Sequence, residues 1–389
     1  MDRWLSGCRP LKKPKIESPR QKKPHGDPET IIAWNVNGLA SRAQNNRREM
    51  VEAMKSWNVD VIFLGEVHLV AHYEGKNTQR VDDEKVSRTR SKPRRQKDTD
   101  KRMNAVDALL RDIGDIYSIP PFYSLANGCT AGTAALLRNG GPIPKQIFYT
   151  FETVIKYLHR IENGEKGEIS TMSEGSIHHL EGRIILMEFE SIWLLHTYTP
   201  NNGKSDKSFK RREDWESKLQ LFLQELQKFS SKSLVYMGDL NIAPNDVDLS
   251  DPDWFRNAHQ EPLDERNRGQ PGCTPGERQN FQELLKAGNL FDAFRKKNPA
   301  PPTDSKSPVP DIKGPYYSWR GNDSAQYGVT GRFFGKGMRI DHALISEELN
   351  PRLEECKLLG HGVDRIGFMG SDHCPIFLRL SEQQKEGGN

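Results

Sequence analysis

The chain is poor in apolar residues. Hydrophobic side chains make up 35% of its 389 residues, below the usual share for globular chains. No apolar run approaches the roughly 20 residues that a membrane helix needs, so no membrane partner is expected. The N-terminal stretch is basic and Pro-rich without an apolar core, so no secretory signal is expected there. Cysteine is scarce too. The five residues (Cys8, Cys129, Cys273, Cys356 and Cys374) are scattered and form no CxxC pair, which argues against a disulfide framework or a zinc site and fits a reducing compartment. The net charge is only +4 although 28% of residues are charged. Where the basic residues cluster therefore matters more than their balance.

They cluster in two places. Residues 1–28 carry Lys and Arg with Pro and few apolar residues, as expected of a disordered basic arm. Within it Lys12-Lys13-Pro14-Lys15 has the form of a nuclear localisation signal, so nuclear placement is expected. Between Lys76 and Arg102 there are eleven Lys or Arg against five acids. A surface insertion over about 70–101 is expected, either solvated or following nucleic acid. A Pro-rich surface loop is expected at about 298–315 and a disordered tail at 382–389. The remainder, 29–381, is long enough for one large domain.

Short apolar runs with β-branched residues punctuate that domain and predict strands. They lie at Ile31–Gly38, Val59–Gly65, Phe122–Leu125, Gly132–Leu137, Gln146–Val154, Arg183–Phe189, Ile192–Tyr198, Leu234–Asp239, Arg339–Ile345, Arg352–Leu358 and Cys374–Leu380. Helical spacing predicts helices through Met50, Ala53, Met54 and Trp57, over Met103–Ile113 and over Lys207–Phe229. Thr274-Pro275-Gly276-Glu277 reads as a further helix start, with Thr at the cap, Pro in the first turn and Glu third. His159–Leu180 and Ser250–Gly272 read as polar loops. Two sheets packed together with helices outside, a layered α/β arrangement, are expected.

Polar residues recur where these strands end: Asn35 and Asn37, Glu66, Tyr198 and Asn201, Asp239 and Asn241, Asp341, and Asp372 with His373. Period-two spacing, as in Asp239 and Asn241, aims both side chains to one side. Any one of these residues alone is as well explained as a turn or cap. Together they are rich in hard oxygen donors, with one His and no thiolate, a set that suits Mg²⁺ or Mn²⁺. A carboxylate-held cation, a proton acceptor and a His are the parts needed to hydrolyse a phosphodiester.

The segments Trp34-Asn35-Val36-Asn37-Gly38-Leu39, Leu64-Gly65-Glu66, Gly132-Thr133-Ala134, Glu181-Gly182-Arg183, Thr197-Tyr198-Thr199-Pro200-Asn201, Gly238-Asp239-Leu240-Asn241-Ile242-Ala243, Thr274-Pro275-Gly276-Glu277-Arg278, Arg339-Ile340-Asp341 and Gly370-Ser371-Asp372-His373-Cys374-Pro375 follow one another from about residue 30 to 380. In that order the chain resembles the exonuclease III / class II AP endonuclease family, within the endonuclease–exonuclease–phosphatase superfamily. The resemblance implies a four-layer αββα sandwich of the DNase I-like kind, with the active site at one end of two packed mixed sheets. It implies a base-excision repair nuclease that uses Mg²⁺ to cut the phosphodiester 5′ to an abasic site, leaving a 3′-hydroxyl, with 3′-phosphodiesterase or 3′→5′ exonuclease activity. The expected partner is double-stranded DNA with abasic sites or blocked 3′ ends, bound by a monomer.

The resemblance also implies roles. Glu66 is the expected main metal ligand, with Asn37 and Asp372 near the ion and Asp239, Asn241 and His373 as further candidates. Asp239 orients or deprotonates the attacking water, and Asn241 holds it. His373, polarised by Asp341, meets the scissile phosphate. Tyr198 contacts the phosphate or the leaving oxygen, and Asn35 and Asn201 complete the polar shell. Which of Asp239, Tyr198 and His373 takes the proton is left open. Trp319, Met338 and Ile340 match the pocket for the flipped sugar, although Met338 and Arg320 depart from the aromatic or apolar residues common there, and Gly65 from the usual Gln. Arg183, Lys204 and Arg339 are the expected DNA contacts. The competing readings are a 3′→5′ exonuclease, a non-specific DNase, an RNA deadenylase, an inositol-phosphate or lipid phosphatase, or an inactive DNA-binding module.

Overall fold

The apolar runs are buried on both faces, which is what allows them to be continuous instead of alternating. Ile31 and Ala33 face one core while Ile32 and Trp34 face another. Val235 and Met237 likewise face the first core while Leu234 and Tyr236 face a third. A computed structural model describes residues 26–69, 92–126, 131–165, 182–261, 264–299, 317–321 and 331–382, with only the backbone of 92–100.

The order is β1 (Thr30–Asn35), α1 (Leu39–Asn45), α2 (Arg47–Trp57), β2 (Val61–Gly65), α3 (Lys92–Ile113), β3 (Phe122–Ser124), β4 (Thr133–Leu137), β5 (Gln146–Phe148), α4 (Phe151–Glu162), β6 (Ile184–Glu188) and β7 (Ile192–Tyr198). It continues with α5 (Asp206–Phe229), β8 (Ser233–Asp239), α6 (Pro252–Asn257), α7 (Pro275–Ala287), β9 (Leu290–Asp292), α8 (Ala293–Lys297), β10 (Trp319–Arg320), β11 (Gly337–Met338), β12 (Asp341–Ser346), β13 (Leu353–Leu358) and β14 (Ile376–Leu380). Two six-stranded mixed sheets result, ordered β13-β14-β1-β2-β4-β3 and β5-β6-β7-β8-β12-β9, with β10 and β11 forming a small ribbon beside them. The sheets pack through the first core. Helices α1, α2 and α3 cover the outer face of one sheet, and α4, α5 and α7 that of the other. This is the expected four-layer sandwich.

Topology places the polar strand ends together. β1 and β2 run parallel and finish side by side at Asn35 and Gly65, directly before Glu66. β7 and β8 run parallel and pair Tyr198 with Asp239. β12 and β14 run antiparallel to their neighbours, so their beginnings, at Asp341 and just after His373, reach the same end. Gly238 is required there: a Cβ at this residue would stand 2.1 Å from the carbonyl oxygen of Thr197.

Four expectations change. Gln146–Val154 is not one strand, because the strand stops at Phe148 and α4 begins at Phe151. Thr150 caps it, its side chain accepting from the amide of Thr153, and Phe151, Val154 and Leu158 fall on one buried face. The Ser250–Gly272 stretch contains α6, started by Asp251 as cap and Pro252 in the first turn. The C-terminal part of the expected insertion, from Lys92, is the beginning of α3. Asp27, placed in the disordered arm, is tied to the domain by accepting from the amide and hydroxyl of Ser191. Residues 70–91, 300–315, most of the arm and residues 383–389 lie outside the described residues.

Candidate active site

Asp341 and His373 form the innermost pair. Nδ1 of His373 donates to Oδ2 of Asp341 at 2.8 Å, and both residues are buried. The other ring nitrogen, Nε2, stands 3.9 Å from Oδ2 of Asp239. That oxygen accepts from Nδ2 of Asn35 at 2.9 Å, and Oδ1 accepts from the amide of Asn241 at 2.9 Å. The side chain of Asn241 donates to the carbonyl of Thr199 (2.8 Å) and its oxygen accepts from Asn201 (3.3 Å). The loop before His373 is locked in turn: Ser371 Oγ donates to the Asn35 carbonyl and accepts from the His373 amide, and Trp34 Nε1 donates to the His373 carbonyl.

A second group lies at the rim. Asp372 accepts from Nδ2 of Asn37 at 2.8 Å and from Nε1 of Trp319 at 3.1 Å. Glu66, a little exposed, lies 3.4 Å from Nε2 of His68. Asn37, Glu66 and Asn241 adopt φ of 44°, 48° and 51°. The left-handed region is uncommon for side-chain-bearing residues and concentrates at functional sites.

The electrostatics follow from burial and neighbours. Burial opposes charge on His373, but the carboxylates of Asp341 and Asp239 outweigh it and raise its pKa well above 6.5. Burial raises Asp239 to about 7. His373 and the Asn35 hydrogen bond oppose that rise, while the charges of Asp341 and Glu66 add to it. Burial also works against ionised Glu66, yet hydrogen bonds from His68 and Tyr198 and the charge of His373 hold its pKa below the ordinary range. Burial, with Glu66 and Asp239 nearby, pushes the Tyr198 phenol far up, so it stays protonated. The Arg183 guanidinium lies 4.7 Å from the centre of the Tyr198 ring and donates to the Tyr198 carbonyl.

Glu66, Tyr198, Asn201, Asp239, Asn241, Asp372 and His373 line the polar side of one cleft of about 260 Å³, and Trp319, Met338 and Ile340 line its apolar side, while Asn35, Asn37 and Asp341 stand behind the lining. Phe333, which sequence reasoning did not single out, completes the apolar side, edge-on to Trp319 at 5.8 Å. It puts an aromatic ring in a cleft where Met338 lacks one. Arg320 does not enter this lining: it is buried, over the Tyr317 ring. Gln270, Pro271 and Gly272 also line the cleft. Their loop is fixed by the helix-start motif, because Glu277 accepts from the amides of both Gly272 and Thr274. Lys204 is exposed just before α5. Arg339 is a correction: it is fully buried, bonded to Asp248, Asp292 and His342, and presents nothing to DNA.

A cation fits the donor chemistry. Ligand atoms of Asp239, Asp341 and His373 lie within 4.8 Å of one another. Asp341 is engaged by His373, which leaves Asp239 and the rim carboxylates Glu66 and Asp372 as anionic oxygen donors. Among the described residues the thioether of Met338 is the only sulfur lining the cleft. This is a hard-ligand set.

Residues 32–373 match the Endonuclease/Exonuclease/phosphatase family. A DNA-(apurinic or apyrimidinic site) endonuclease of Arabidopsis thaliana is 32% identical over 381 residues, covering 94% of this chain and 88% of that protein. One of Plasmodium falciparum is 34% identical over 370 residues, covering 92% of this chain and 55% of that relative, so the chain spans little more than half its length. An AP endonuclease from Leishmania major shares the fold, with a TM-score of 0.59 at 21% identity over 92% of this chain and 88% of that one. Fold and cleft thus define a member of the endonuclease/exonuclease/phosphatase family, to which this chain belongs. Within it the chain falls in the exonuclease III / AP endonuclease branch, a group of DNA repair nucleases.

Proposed function

We propose that the protein hydrolyses the phosphodiester 5′ to an abasic site in duplex DNA, leaving a 3′-hydroxyl, and that the same cleft clears blocked 3′ ends. The observation that carries this is the two-sided cleft, in which Asp239 and His373 face a small apolar wall of Trp319, Phe333, Met338 and Ile340. A flipped sugar without a base suits such a wall, and flipping is cheapest where the base is already missing.

Asp239, aligned by Asn35 and by the amide of Asn241, takes the proton of the attacking water. Its pKa near 7 matches that task at neutral pH. The new P–O bond forms as the P–O3′ bond breaks, and the 3′ oxygen leaves as a hydroxyl after protonation from solvent. Protonated His373, steadied by Asp341, donates to a non-bridging oxygen as its charge grows, and Tyr198 donates from the other side. Glu66, with Asp372 and Asn37, would hold Mg²⁺, which would supply charge neutralisation at the phosphate. Nuclear placement also belongs to the proposal, supported by Lys12-Lys13-Pro14-Lys15.

The test uses two 5′-labelled duplexes, one with a single tetrahydrofuran abasic analogue and one intact, each with Mg²⁺ and with EDTA. A single Mg²⁺-dependent cut at the analogue is expected. A ladder from the 3′ end of both duplexes with no site cut would make the protein an exonuclease instead.

A further inference from the structure

Arg339 is a buried cation between two residues of the cleft wall. Met338 and Ile340 border the cleft, and Arg339 points away from it with none of its surface exposed. Its Nε donates to Asp248 at 2.7 Å, Nη2 to Asp292 at 2.7 Å and Nη1 to Nδ1 of His342 at 3.0 Å. His342 passes the connection on, its Nε2 donating to the Ile242 carbonyl at 2.7 Å. Arg295 closes the network on Asp248. A buried ion network contributes little net stability compared with apolar packing, and its attested use is to fix register.

Register matters here. The ribbon carrying Met338 is short, pairing Trp319 with Met338 and Arg320 with Gly337, and on its other side Met338 bridges Leu249 while the Arg339 amide donates to the Asp248 carbonyl. A slip by one residue would turn Met338 and Ile340 away and bring Arg339 into the cleft. The neighbouring Asp341 is held chiefly by its own strand, because β12 pairs with β8 at five positions from Asp341 to Ile345.

We infer that Arg339 is a positioning residue for substrate specificity: through Asp248 and Asp292 it fixes the register of the wall that receives the abasic sugar. This rests on the proposed abasic-site reading. Arg339 touches no substrate, so its loss should weaken the pocket more than the hydrolytic groups.

The experiment compares wild type, Arg339→Met and Asp248→Asn on two substrates. One is the tetrahydrofuran duplex, whose sugar must enter the pocket. The other is a nicked duplex ending in a 3′-phosphate, whose release as inorganic phosphate places no sugar there. The ratio of kcat/KM values is independent of the folded fraction. It is expected to fall by about tenfold or more in Arg339→Met and in the same direction in Asp248→Asn, which keeps the side-chain volume if the first variant folds poorly. Equal losses on both substrates, or none, would overturn the role of Arg339 while leaving the function intact. Wild-type protein that never cuts the analogue would instead remove the reading beneath it.

Discussion

His373 and Asp341, 32 residues apart in sequence, meet through a buried 2.8 Å hydrogen bond at one end of the sandwich. The carboxylate keeps the imidazole protonated, and the imidazole in turn compensates a buried negative charge. That partnership predicts how metal-free stability depends on pH. The folded-state pKa of His373 lies well above its ordinary 6.5, so its contribution is fully present below about 6.5 and is lost as pH rises through the folded value. In EDTA, Asp341→Asn should therefore lower the melting temperature most near pH 6, with the gap to wild type closing as pH rises. A gap that widens with pH would contradict this pairing.

Arg212 fastens two loops of the site. It is buried, pairs with Glu216 at 2.7 Å, and donates to the carbonyls of Pro200 (2.8 Å) and Leu240 (3.0 Å), the residues directly before Asn201 and Asn241. Arg212→Lys keeps the charge but not the fork of donors. It should reduce kcat for abasic incision about ten- to a hundredfold with little change in KM. The same change made on top of Asn241→Ala should cost much less, because the two residues act as a unit. Strict additivity would show that Arg212 serves stability alone.

Much of this was legible beforehand, for identifiable reasons. Strands buried on both faces must be apolar throughout, so Ile31–Trp34 and Leu234–Met237 stood out. Side chains placed at strand ends carry their own signature, as at Asp239 and Asn241. Burial is not written in a charge, which is why Arg339 read as a DNA contact although tertiary partners at Asp248 and Asp292 enclose it. Phe333 gave no local sign, because it reaches the cleft through packing against Trp254 and Trp319. Two misses did have signals: the Thr150 cap with Phe151, Val154 and Leu158 at helical spacing, and Asp251-Pro252 at the start of α6.

Glu66 is ionised despite partial burial, as a cation ligand must be. Glu66→Gln should raise the Mg²⁺ concentration giving half-maximal incision by about tenfold or more. A magnesium titration on the abasic duplex checks this, and an unchanged midpoint would remove Glu66 from the metal site.

Lys76 to Ser91 contains five Lys or Arg and three acids, and the stretch ends just before α3 begins at Lys92. If it follows the DNA backbone, deleting 76–91 should flatten the slope of log affinity against log salt by about one to two. A slope identical to wild type would reject backbone contact by this stretch.

The central claim is that this cleft cuts the DNA backbone with Asp239 as proton acceptor. Asp239→Asn, nearly isosteric with the native side chain, tests it most directly when incision and binding are measured on the same tetrahydrofuran duplex. The expected result is an incision rate down by about 10²–10⁴-fold with affinity for the duplex retained. Incision persisting near the wild-type rate would contradict the assignment, and a wild-type protein that binds the duplex without cutting it would contradict the enzyme itself.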